Sequence, residues 1–215
     1  MIERITKMID GLKITETLLN ASNKEPWSIR CRINHCERVS KIAVDLLLLE
    51  IQDHDVAWEQ HDIELFRNAC KMHDCVKYLV NTKEHGGPAS DLFDVIYKDE
   101  ECIHFEEIKM AVKSHSRKEL GPAMAGNEFL ALRCIMLADI LDKIAIESVL
   151  YSDIGLKGTP KEISEYIIKV RGKIMQYFNK VKSTFKKKKQ VEEYVNRVVS
   201  LRIRDFANMD MIMVK

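Results

Sequence analysis

The sequence predicts an all-α protein, and three observations carry that prediction. Only 8 glycines and 4 prolines interrupt 215 residues, so tight turns are few and long helices have room to run. Apolar residues recur at three- and four-residue steps along most of the chain, the period of a helix with one buried face. No stretch alternates apolar and polar residues as a half-buried strand would.

Taken in order, residues 2–21 place Ile2, Ile5, Ile9, Leu12, Leu18 and Leu19 at helical spacing and close in the polar stretch NASNKEPW. A second helix is expected from Ser28 through IRCRINHCERVSKIAVDLLLLE, and a third from Asp62 to Val80. The glycines and proline of NTKEHGGP break the pattern before a short helix, ASDLFDVIYK. Residues 101–116 read as a helix ending near SHSRK, and GPAMAGNE leads into a long apolar helix from Glu128 to Tyr151. The segment DIGLKGTPKE is the clearest internal boundary. There Thr159, Pro160 and Glu162 spell a capping box with proline at the first helical position. Two more helices follow, separated near Lys186 to Lys189.

Six cysteines at 31, 36, 70, 75, 102 and 134 form no Cys-x-x-Cys pair, which argues against a cysteine-rich zinc site. Several sit inside apolar helical patterns, as reduced cysteines do. With nothing resembling a signal peptide or spanning segment, the expectation is a cytoplasmic protein. The net charge of +1 hides an asymmetry: residues 161–215 carry 14 Lys or Arg against 6 Asp or Glu, leaving 20 against 27 in residues 1–160. A basic tail on an acidic body fits an anionic partner or a solvated helical face.

The chemistry concentrates in LFRNACKMHDCVKY, residues 65–78. Phe66, Ala69, Cys70, His73, Val76 and Val80 recur at three- and four-residue steps, so His73 lies on the buried stripe of its own helix, with Asp74 beside it in the sequence. Burying them costs several kcal/mol unless something pairs with them. The pairs His54-Asp55 and His61-Asp62 stand in the polar segment QDHDVAWEQHD and read as surface or turn residues. His35 shares a stripe with Val39, Ile42 and Leu46, and His115 follows Ile108, Ala111 and Val112. Asp139 interrupts LRCIMLADILDKIAI, with Asp142 one turn later. Imidazoles and carboxylates buried together suit iron, manganese or zinc, and need a cation to neutralise them.

The order His35, His73-Asp74, His85, His115, Asp139 resembles the metal-binding signature of the HD-domain phosphohydrolase superfamily, an all-helical fold, over roughly residues 27–151. The resemblance divides the chain into an HD-type domain, residues 1–155 with the N-terminal helix, and a basic helical extension, residues 156–215. It implies two divalent metals, Fe, Mn or Zn, with His35, His73, Asp74 and Asp139 on one and His85 and His115 on the other, Asp74 bridging. His85 is preferred because the glycines after it permit close approach to a metal or phosphate; His104, in ECIHFEE, is the rival. HDCVK looks like the His-Asp-x-x-Lys variant, whereas alarmone hydrolases and deoxynucleotidases place acidic residues after the pair. EHGGPASDLF, AVKSHSRK and IMLADILDKIA resemble segments of bacterial diadenosine-tetraphosphate hydrolases, and the His-Ser followed by arginine with the Ala-Asp-x-Leu-Asp run also resembles a second, uncharacterised group of bacterial HD hydrolases. Ser116 and Arg117 stand where the diadenosine-tetraphosphate hydrolases carry threonines, and these lack so long a basic extension.

The activity so implied is metal-dependent hydrolysis of a phosphoester or phosphoanhydride in a nucleotide-like substrate, by a metal-activated hydroxide. Lys77, Arg117 or Arg38 would steady the non-attacked oxygens, and Asp142 would orient a ligand histidine or the attacking water. The expected partner is a phosphorylated small molecule, with no membrane. Nucleic acid is not expected either, since STFKKKKQ carries only one aromatic neighbour, Phe185. The C-terminal helices offer a cap for the site, a homodimer surface or an anion contact. Two rival classes are a nucleotide-binding module that has lost catalysis and a helical interaction protein.

Overall fold

The computed structural model describes residues 8–51, 57–80, 85–116, 126–150 and 157–213. Among these residues all regular structure is helical, as the sequence predicts. Helices α1 (Gly11–Asn20), α2 (Pro26–Glu50), α3 (Gln60–Met72), α4 (Gly86–Tyr97), α5 (Phe105–Ser114), α6 (Leu130–Asp142) and α7 (Ile146–Leu150) precede α8 (Pro160–Val181) and α9 (Lys188–Met213). The central helix α2 packs on α3 and α6, α5 bridges α4 and α6, and α1 lies across α3. One apolar core runs from Val39 and Leu46 of α2 through Phe66, Phe93, Ile108 and Leu137 to Ile174, Phe178 and Val195. No helix among the described residues is long and apolar enough to cross a membrane.

Local chemistry explains where the helices stop. Asp10 caps α1 by accepting from the Leu12 amide at 2.9 Å. Thr159 and Glu162 form the capping box expected for α8. At the start of α3, Glu59 and Asp62 form another. Asp62 is therefore buried as a capping residue, contrary to the surface reading, while His61 is exposed and paired with Glu100 at 3.3 Å. His54 and Asp55 lie outside the described residues.

Two predicted helices are shorter than their apolar runs. α3 ends at Met72 instead of Val80, and the backbone continues through turns closed by Cys75 N to Met72 O and Lys77 N to Asp74 O. The cause is His73, whose Nδ1 donates to the Cys70 carbonyl at 2.7 Å and withdraws it from the helical ladder. The long helix expected over Glu128–Tyr151 is divided into α6 and α7 after Asp142. α4 starts earlier than expected, at Gly86, so the two glycines form its first turn.

The C-terminal helices share the main core. Glu50, fully buried at the end of α2, accepts from the amides of Lys186 and Lys187 at 2.8 and 2.7 Å, and so satisfies donors at the start of α9. Tyr194 Oη donates to Asp45 at 2.8 Å. Lys186, Lys188 and Lys189 are exposed, whereas Phe185 is buried with Arg133 over its ring, which removes it as a stacking surface.

Candidate metal centre

Helix ends build the site. His73 is the C-cap of α3 and His115 the C-cap of α5, and both use the same device: Nδ1 donates to the carbonyl three residues back, Cys70 at 2.7 Å and Val112 at 2.6 Å. Each Nε2 is thereby aimed away from its own helix. His35, in the middle of α2, has its Nδ1 held by Asp142 Oδ2 at 2.8 Å. His85 is the N-cap of α4. The four rings form a continuous row, with centroid separations of 5.2 Å for His35–His73, 4.8 Å for His73–His115 and 4.9 Å for His115–His85.

Asp74 lies against this row. Its Oδ2 is 3.6 Å from His35 Nε2 and 3.7 Å from His73 Nε2, and its Oδ1 is 2.6 Å from His85 Nε2 and 3.6 Å from His115 Nε2. One oxygen faces each pair of imidazoles. Asp139 Oδ1 lies 3.2 Å from His35 Nε2. All six residues of the expected ligand set thus meet in one place. His104 does not join them: it stacks on Trp58 at 4.0 Å and bonds Glu107 and the Ala57 carbonyl.

Of the glycines after His85, Gly86 serves helix packing. A Cβ on Gly86 would sit 2.5 Å from the Lys113 carbonyl oxygen and 2.9 Å from that of Val112, whereas one on Gly87 would meet open space. Gly86 serves the approach of α4 to α5, which brings His85 Nε2 to 3.0 Å from His115 Nε2.

These residues fit a metal. His35 Nε2, His73 Nε2 and Asp74 Oδ1 are buried without an aligned hydrogen-bond partner, although unpaired buried polar atoms are costly. Donor atoms of His35, His73 and Asp139, and of His73, Asp74 and His115, each cluster within 4.8 Å. These groups contain no cysteine, and nitrogen and carboxylate donors suit Fe, Mn or Zn. Burial pushes His73 down to about 3, so its ring is neutral and its Nε2 lone pair is available. Burial opposes ionisation of Asp74, but hydrogen bonds from His115 and His85 and the charge of Arg32 outweigh it and hold the carboxyl well below its ordinary value. At Asp139, burial is likewise outweighed, by His35 and His73.

Other expected site residues divide. Lys77 Nζ lies 2.8 Å from Asp74 Oδ2 and lines the cavity above the centre. Asp142 holds the His35 ring: it is fully buried and accepts from His35, from Arg38 Nε at 2.7 Å and from Ser148 Oγ at 3.2 Å. It has no face left for an attacking water. Arg38 does not line the cavity; its guanidinium is taken up by Asp142 and by Glu147, which is itself on the cavity wall. Arg117 lies outside the described residues.

The sequence reading missed Arg32. Its Nη1 lies 2.6 Å from Asp74 Oδ2, and its side chain is 23 % exposed. The available signal was its position three residues before His35, one turn away on the same helix. A cavity of about 340 Å³ opens over the centre, and His35, Asp139, Arg32, Lys77 and Lys143 contribute to its wall.

Fold and site together define a helical domain whose histidines and aspartates, drawn from five consecutive elements, are arranged to hold metal. A family model described as HD domain matches residues 32–144, just over half of the chain, and the chain belongs to that family. No curated protein and no solved structure matches it.

Proposed function

We propose that this protein is a metal-dependent phosphohydrolase acting on a phosphoester or phosphoanhydride of a nucleotide-like molecule. The observation that carries the reading is the convergence of His35, His73, His85 and His115 on the two oxygens of Asp74, directly beneath a cavity that also exposes Arg32, Lys77 and Lys143. His35, His73 and Asp139 would hold one ion, His85 and His115 a second, with Asp74 shared between them. Divalent ions bound there supply a water acidic enough to lose a proton near pH 7 and positive charge beside the phosphoryl group.

The protein's own residues do the rest. Asp142, the Cys70 carbonyl and the Val112 carbonyl fix the tautomers of His35, His73 and His115, so that Nε2 is the free nitrogen in each. Arg32 and Lys77 stand on the cavity side of Asp74, where guanidinium and ammonium groups bind phosphate oxygens. Arg32, preorganised and planar, offers two parallel donors, and Lys77 a point charge. A phosphorus group held by both would lie against the centre with its scissile bond at the cavity floor.

Dinucleoside polyphosphates lead the substrate list by resemblance, followed by nucleotides, cyclic dinucleotides and other phosphate esters. The free state of the six cysteines supports a reducing, cytoplasmic setting. The test is phosphate or nucleotide release from this panel by manganese- or iron-reconstituted protein, beside Asp74→Ala. Turnover lost in the variant supports the reading. Binding without turnover across the panel would leave a nucleotide-binding module in its place.

A further inference from the structure

The matched HD region ends at residue 144, yet the cavity wall does not. Tyr166, on α8, lines the same cavity as His35 and Asp139. It is partly buried and packs against both the main core and the small cluster formed by Val149, Ile167 and Phe206. The helix that carries it is fixed in place: α8 buries Ile174 and Phe178 in the main core, and the next helix is tied to α2 through Glu50 and Tyr194. About three turns along α8, Tyr177 keeps a buried hydroxyl without an aligned hydrogen-bond partner. Burial and then the charge of Asp139 raise its pKa.

The cavity is chemically divided. Arg32, Lys77 and Lys143 supply positive charge, while Trp27, Tyr78 and Tyr166 supply aromatic surface. The Tyr78 ring already carries the Arg32 and Lys24 side chains, each 5.8 Å from its centroid. Trp27, from the first turn of α2, is 44 % exposed. Trp27 and Tyr166 are therefore aromatic walls contributed by α2 and by α8. A volume of about 340 Å³ lies within the usual range of roughly 300–1,000 Å³ for small-molecule pockets.

We infer that Tyr166 of the C-terminal extension is a specificity-determining residue which, with Trp27, holds a flat aromatic group of the substrate while its phosphate lies against Arg32 and Lys77. This rests on the phosphohydrolase reading of the cavity and assigns the extension a part in selecting the substrate. A flat ring gains from stacking on aromatic faces. A phosphate without a ring gains nothing from them.

The experiment is calorimetric binding to the full-length, metal-reconstituted protein with two hydrolysis-resistant probes. One is the α,β-methylene analogue of ADP, and the other is methylenediphosphonate, which carries the same phosphorus pair without the nucleoside. Tyr166→Leu keeps apolar packing and removes the ring. It should weaken the nucleotide probe about tenfold, while changing the diphosphonate less than about twofold and leaving metal content unaltered. Tyr166→Phe, which keeps the ring, should stay within about twofold of the wild type for both. Equal weakening of both probes, or of neither, would overturn the inference. Failure of both probes to bind the wild-type protein would overturn the phosphate-site reading beneath it, a result distinct from any effect of Tyr166.

Discussion

Arg32 Nη1 and Asp74 Oδ2 lie 2.6 Å apart, and Lys77 Nζ is 2.8 Å from the same oxygen. Two cations thus balance the buried Asp74 carboxylate. On the proposed metal-binding reading, an ion and these side chains compete for Asp74, and binding the ion would release guanidinium and ammonium toward the cavity they already line. Breaking a buried ion pair costs about 3–5 kcal/mol, and partial exposure of Arg32 places it at the lower end. Arg32→Met should therefore lower the melting temperature of the metal-free protein more than that of the metal-loaded protein. Calorimetry of both forms checks this, and equal losses would contradict the competition.

Asp142 touches no reacting atom, but it holds His35 Nδ1 at 2.8 Å and is itself gripped by Arg38. Removing such an orienting partner typically costs 10–100-fold in metal affinity, roughly. Asp142→Asn should show a loss of that size in a chelator-competition titration. Affinity within about twofold of the wild type would mean that His35 needs no orientation.

The adjacent glycines of α4 should behave oppositely. Gly86→Ala puts a methyl group 2.5 Å from the Lys113 carbonyl and should destabilise by about 1–3 kcal/mol, the range for overpacking. It should also weaken metal binding by parting His85 from His115. Gly87→Ala meets open space and should be neutral or stabilise by up to about 1 kcal/mol. Denaturant titration distinguishes them, and similar effects at both positions would refute the close-approach account.

His104 predicts a pH dependence remote from the metal ligands. Burial opposes its protonation, but hydrogen bonds to Glu107 and the Ala57 carbonyl outweigh this and raise its pKa above 6.5. A raised pKa means that the folded state binds the proton more tightly than the unfolded chain. The resulting stability is complete below about pH 6.5 and is lost as pH rises through the folded value. The stability difference between wild type and His104→Gln should shrink from pH 6 to pH 8. A constant difference would show that the imidazolium contributes nothing.

The all-helical class and the ligands on apolar stripes were legible in the sequence because polar groups there contradict their surroundings. His35, His73 and His115 stand out among valines, leucines and isoleucines for that reason. Where α3 and α6 stop was not legible. Their apolar periodicity continues past Met72 and Asp142, and α3 is ended by a side chain, His73, that takes a carbonyl from the backbone. Arg32 was invisible for a different reason: in SIRCRINHC it sits among other polar residues, where a solvated arginine and a buried one read alike. Arg38 lies one turn from His35 in the sequence, and only the packing of α6 and α7 shows that it serves Asp142 and Glu147. Tyr166 lay in a segment whose period marks only a packing face.

The central claim is that four imidazoles, Asp74 and Asp139 hold a pair of divalent ions. Elemental analysis of anaerobically purified protein tests it most directly, with Asp74→Ala beside the wild type. About two iron, manganese or zinc ions per chain are expected, with both lost or sharply reduced in the variant. A wild-type protein that holds none, even after reconstitution with those metals, would contradict it.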